Sequence, residues 1–142
     1  MKRLLILLVL CGCDDATTIV VDNAYTDDTV VDEVWWSQTL VPDQVAPGSE
    51  SPAYRTTPAL ETAYVVAERG GNVFVARTVI PLGVNRSAEL HVVVSPQNIV
   101  GDCAFSSARL TQPEADFITQ RIFPGRFAGA VYDAATCKTF KP

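Results

Sequence analysis

Residues 62–80 read TAYVVAERGGNVFVARTVI, and the reading of this stretch decides the fold. Two runs, residues 62–68 and 73–80, are rich in Val, Ala, Tyr and Phe and flank Arg69-Gly70-Gly71-Asn72. β-Branched and aromatic side chains suit a pleated surface. Two glycines and an asparagine supply the positive-φ conformations that a tight reversal needs. The stretch therefore predicts an antiparallel β-hairpin.

Working outward, the elements on either side are also mostly extended. Upstream, Val34-Trp35-Trp36-Ser37-Gln38-Thr39-Leu40-Val41 predicts the first strand of the domain. Residues 42–58 carry Pro42, Pro47, Pro52 and Pro58, which exclude a central strand or a helix interior. Downstream, Glu89-Leu90-His91-Val92-Val93-Val94 predicts a strand whose near-continuous apolar run implies burial on both faces. A short strand is expected near Ile99-Val100, and two more at 128–132 and 136–140.

One helix interrupts this pattern. Thr111-Gln112-Pro113-Glu114 is a capping box, in which the Thr hydroxyl accepts from the backbone three residues on and Glu114 reaches back. Ala115, Ile118 and Ile122 then share one face, and Pro124-Gly125 ends the segment. The expected fold is mainly β: a small β-sandwich or partly open barrel with one short helix over about 112–122. An α+β arrangement is the alternative.

The charge of the chain is unevenly placed. Between Asp14 and Glu50 there are nine acidic residues and no Lys or Arg, whereas from Arg55 onward nine basic residues meet seven acidic ones. Residues 13–29 therefore predict a hydrated acidic tether, and 30–142 a single β-rich domain. Within the tether, VVDNAYTDDT (20–29) is echoed by VVDEVWWSQT (30–39); two copies are too few for a solenoid. Asp22 to Asp28 lacks the alternating ligands and central Gly of a calcium loop. No clustered basic surface suits nucleic acid, and a single Arg69-Gly70-Gly71 inside a turn is turn chemistry.

The chain opens Met1-Lys2-Arg3 followed by apolar residues from Leu4 to Leu10, the pattern of a secretory signal peptide. That run is far shorter than the ~20 residues a membrane span needs. Leu10-Cys11-Gly12-Cys13 resembles a lipobox, the recognition site of bacterial lipoprotein signal peptidase, with Cys11 where Ala, Ser or Thr is usual. The resemblance covers only the first 13 or so residues. It implies that residues 1–12 are a signal peptide, and that Cys13 becomes the first residue and is acylated, palmitate being a fatty acid of that class. The membrane, through that lipid anchor, is then the first partner.

The same resemblance places the protein in the bacterial cell envelope. Outer membrane or cell surface is the preferred address. The periplasmic face of the inner membrane stays open, because Asp14 follows the lipidated position. Once Cys11 leaves and Cys13 carries lipid, Cys103 and Cys137 remain, an even pair outside the cytosol and hence an expected disulfide.

Little in the sequence advertises chemistry. His91 is the only histidine, on the expected face of Glu89 and Val93. Gly48-Ser49-Glu50-Ser51-Pro52 ends in Pro and is no nucleophile elbow. Two cysteines and one distant histidine make no zinc site. No catalytic residue, metal ligand or cofactor is assigned. Trp35 and Trp36 project to opposite strand faces, so one is expected in the core and the other as a possible anchor for an envelope protein or glycan. The expectation is a non-catalytic structural or binding role, with an envelope hydrolase as the alternative.

Overall fold

The computed structural model describes residues 17–36, 39–56, 62–79 and 89–141. The expected signal peptide, the lipobox-like Leu10-Cys11-Gly12-Cys13 and hence Cys13 lie outside them. Among the described residues ten strands appear: β1 (Thr17–Asn23), β2 (Val30–Trp36), β3 (Thr39–Val41), β4 (Tyr54–Thr56), β5 (Tyr64–Arg69), β6 (Asn72–Thr78), β7 (Glu89–Val94), β8 (Ile99–Val100), β9 (Val131–Asp133) and β10 (Lys138–Phe140). One helix, α1 (Gln112–Phe117), continues into a π-helical turn, Ile118–Ile122. The chain is mainly β with several sheets, and no barrel closes among the described residues.

The hairpin β5–β6 sits inside a five-stranded antiparallel sheet of order β3-β2-β5-β6-β8. Gly70 and Gly71 at its tip have φ of +55° and +79°, the two left-handed residues that such a reversal needs. The sheet is covered on both faces. Val65, Ala67, Phe74 and Ala76 pack towards Ile19, Val21, Val92 and Val94 of a three-stranded sheet, β4-β1-β7. Val66 and Val75 pack the other way, against Leu110, Ile118, Ile122, Phe123 and Tyr132 of the helical segment and the β9–β10 hairpin. Burial on both faces explains why the two hairpin strands read as nearly unbroken apolar runs.

The expected acidic tether at 13–29 is corrected. Residues 17–23 form β1, which pairs antiparallel with β4 and parallel with β7. Ile19 and Val21 are fully buried, and Tyr25 and Thr29 are buried beyond the strand. The Asn23 side chain fixes that crossover: its Nδ2 donates to the carbonyls of Thr29 and Val45, and its Oδ1 accepts from the Tyr25 backbone. The unbroken β-branched run Thr17-Thr18-Ile19-Val20-Val21 outweighs the flanking acids, so the domain already includes Thr17. The two echoed segments become strands of different sheets.

Other boundaries shift as well. The expected strand over 34–41 is instead two strands, with Trp36 paired to Thr39 and Val34 to Val41. The proline-rich stretch holds a three-residue strand, β4, between Pro52 and Pro58. Strand β7 is not buried on both faces: Val92 and Val94 are buried, whereas Glu89, His91 and Val93 are exposed. It lies in the outer sheet, where only one face meets the core.

The capping box forms as expected. Glu114 N donates to Thr111 Oγ1 at 3.4 Å, and Glu114 Oε2 accepts from the Thr111 backbone at 2.8 Å. Arg77 of β6 pairs with Glu114 at 2.8 Å, joining the helix start to the sheet. Phe123 N then donates to the Ile118 carbonyl, the wide turn that keeps Ile118 and Ile122 both buried. No helix among the described residues is long and apolar enough to cross a membrane.

Candidate functional site

The most concentrated chemistry lies where the β5–β6 turn meets the loop after β8. Arg69, the last residue of β5, forks onto Asp102: Nη2 lies 2.9 Å from Oδ2 and Nη1 3.3 Å from Oδ1. Its Nε meets Thr29 Oγ1 at 2.8 Å and Asp27 Oδ2 at 3.1 Å. The guanidinium carbon lies 5.1, 4.9 and 4.6 Å from the ring centres of Tyr25, Phe74 and Phe105. Rings around a cation present their negative faces to it, and the effect grows as water is excluded.

Asp102 is placed by the backbone before it. Gly101 has φ of +109°, and a Cβ there would stand 2.8 Å from the Val75 carbonyl and 2.9 Å from Leu110 Cγ. Only glycine lets this loop come so close to β6. Asp102 is buried and accepts from the Tyr25 hydroxyl at 2.9 Å as well as from Arg69. Burial, then the neighbouring Asp102 charge, raises the Tyr25 pKa far above the usual phenol value, so the hydroxyl keeps its proton. Burial opposes the Arg69 charge, but Asp102 and Asp27 more than restore it.

Beside this cluster a cleft of about 250 Å³ opens between Arg69, Phe74, Asp102 and the Cys103–Cys137 disulfide, with Lys138 at its rim. The two cysteine Cα atoms are 6.0 Å apart, within the ordinary range for a bridge. Cys137 itself adopts a φ of 52° at the end of the Asp133–Cys137 turn. Phe105, 52% exposed, stands over Arg69 at the same end. Each nitrogen of Arg69 meets an oxygen of another chain segment, so the cluster is a tie between segments. Its cleft offers a small apolar wall and a positive rim.

A second cluster lies on the β2 bulge. The pairing register shifts between Val31 and Glu33, which leaves Asp32 as the extra residue. Asp32 is fully buried, with Oδ1 taking Arg126 Nη1 at 2.8 Å and Gln44 Nε2 at 2.7 Å. Glu33, also buried, has its pKa raised first by burial, with Arg126 lowering and Asp32 raising it. Asp32 Oδ2 and Glu33 Oε2 have no hydrogen-bond partner.

The sequence-predicted residues divide clearly. Cys103 and Cys137 are joined. Trp36 is fully buried in the core between the two sheets, which removes it as a surface anchor. Trp35 is half-buried, its ring meeting Phe117 edge-on at 6.2 Å, so it packs against the helix. Neither tryptophan is an exposed anchor.

His91 is on the surface, 2.9 Å from Glu89 and 3.9 Å from Glu50. Among the described residues no group of three or more His, Cys, Asp or Glu could hold a metal ion. Sequence reasoning missed Arg69 and Asp102; a turn arginine and an acid next to a cysteine carry no local signal of their meeting. No family model matches this chain, and no curated protein sequence or solved structure matches it either.

Proposed function

We propose that this chain is a membrane-anchored bacterial envelope lipoprotein whose domain has a non-catalytic structural or binding role. The observation that carries this reading is Leu10-Cys11-Gly12-Cys13 behind a basic and apolar leader. The disulfide between the remaining two cysteines supports it, since such bridges persist in oxidising compartments. The interlocked side chains around Arg69 support a structural or binding role, because they fix the shape of that end of the domain. The lipid anchor on Cys13 makes the membrane one partner, and an envelope protein or glycan is the other class.

The test is expression in a bacterium with lipoprotein maturation, fed an alkyne fatty acid. Label and membrane fractionation are expected for the wild type and lost in Cys13→Ala. Cys11→Ala leaves the mature mass unchanged. An unlabelled mature amino terminus beginning anywhere other than Cys13 overturns the reading.

A further inference from the structure

We infer that one end of the sandwich, the end carrying Thr18, Arg55 and Glu89, rests against the lipid headgroups of the membrane that anchors the chain. This rests on the lipoprotein reading and adds to it the orientation of the domain. The argument is one of reach. β1 begins at Thr17, four positions after Cys13. Four extended residues span at most ~14 Å. A long hydrated tether is excluded, because the residues that were to form it are strand and core.

The strand register then defines which surface is near. Thr17 pairs with Thr56, and Thr18 pairs with Arg55 on one side and Glu89 on the other. Thr39 Oγ1 and Thr56 Oγ1 are 2.9 Å apart, which brings the start of β3, and with it Trp36, to the same end. The far end carries Asn23, the Gly70–Gly71 turn, Phe105 and the Arg69–Asp102 tie. A seven-residue strand such as β1 is ~23 Å long, so with the far end against the surface Thr17 would stand farther out than the anchor's reach. Arg55 and Glu89, both exposed, flank Thr18 at the near end with charges of opposite sign. The cleft beside Lys138 then faces away from the membrane, towards any soluble or envelope partner.

The experiment uses the full, processed protein in vesicles containing a headgroup-linked fluorescence quencher. Fluorophores are placed singly at Arg55→Cys or Asn72→Cys, both exposed, with the native disulfide intact. Fluorescence loss at Arg55 and little loss at Asn72 is expected. Inserting about ten Gly and Ser residues before Thr17, which adds roughly 18 Å of reach, is expected to weaken the Arg55 signal. Equal loss at both positions, greater loss at Asn72, or no loss at either in acylated, vesicle-bound protein overturns the orientation. Absence of the acyl mass instead overturns the lipoprotein reading, and the two failures are told apart by mass spectrometry of the same sample.

Discussion

Arg126 Nη1 lies 2.8 Å from Asp32 Oδ1, across 94 residues of chain. Two of the nine acids in the first fifty residues meet arginines from the later part of the chain: Asp32 meets Arg126, and Asp27 meets Arg69. Arg126 is 42% exposed while Asp32 is fully buried, so the arginine keeps much of its hydration and the acid does not.

Removing the arginine strands the acid. Arg126→Met is expected to destabilise the fold by about 2 kcal/mol, less than a fully buried pair because the guanidinium is partly in water. Asp32→Asn in the Arg126→Met background is expected to recover part of that loss. Urea unfolding of the two variants and the wild type measures it. Equal stability of the wild type and Arg126→Met contradicts the role given to the pair.

Glu33 gives the pH dependence. Burial raises its pKa in the folded chain above the ordinary glutamate value. Its contribution is complete below the unfolded value and is lost as pH rises through the folded one, because the folded state must then hold a buried charge. Glu33→Gln is expected to remove this decline and to leave the protein as stable as the wild type, or more so, at neutral pH. Asp27 works in the opposite sense. Burial opposes its ionisation, but Thr29 and Arg69 lower its pKa overall, so its contribution is lost as pH falls. Melting temperatures from acidic to neutral pH, compared for the wild type and Glu33→Gln, separate the two.

The hairpin at 62–80 could be read from sequence because its signals are local: β-branched runs and a Gly-Gly turn. The capping box at Thr111 was local too. The acids of 13–29 mask the strand at 17–23, because the burial of Ile19 and Val21 depends on two sheets meeting. Strand alternation sets Trp35 and Trp36 on opposite faces without telling which face is covered, and here the helix and the second sheet cover both. The tie at Arg69 depends on Tyr25, Asp27 and Asp102, which meet through the fold alone.

The disulfide closes a loop with a sequence separation of 34 residues. Chain-entropy arguments give such a bridge about 3 to 4 kcal/mol of stabilisation. The Cys103→Ala, Cys137→Ala double variant is expected to lose that amount, and reduction of the wild type the same. Peptide mapping without reductant must first find Cys103 linked to Cys137; two free thiols in protein isolated without reductant contradict the prediction.

The last prediction concerns the tie at the far end. Tyr25, Arg69 and Asp102 come from the β1–β2 crossover, the hairpin turn and the loop before the disulfide, and one carboxylate joins them. Tyr25→Phe keeps the ring over Arg69 and removes only the hydroxyl donor, so a loss of about 1.5 to 3 kcal/mol is expected for a hydrogen bond to a charged group. Asp102→Ala leaves Arg69 only the contacts of its Nε with Asp27 and Thr29 and takes the acceptor from the Tyr25 hydroxyl, and about 3 to 5 kcal/mol is expected. If the three act as one unit, the double variant loses less than the sum of the two single losses, by about 0.5 to 3 kcal/mol. Additive losses instead mean that the hydroxyl and the guanidinium hold Asp102 independently. Amide exchange reads the same coupling locally: in Asp102→Ala, protection is expected to fall at Asn23 and Arg69 while Val65 and Val75, deep in the central sheet, keep theirs.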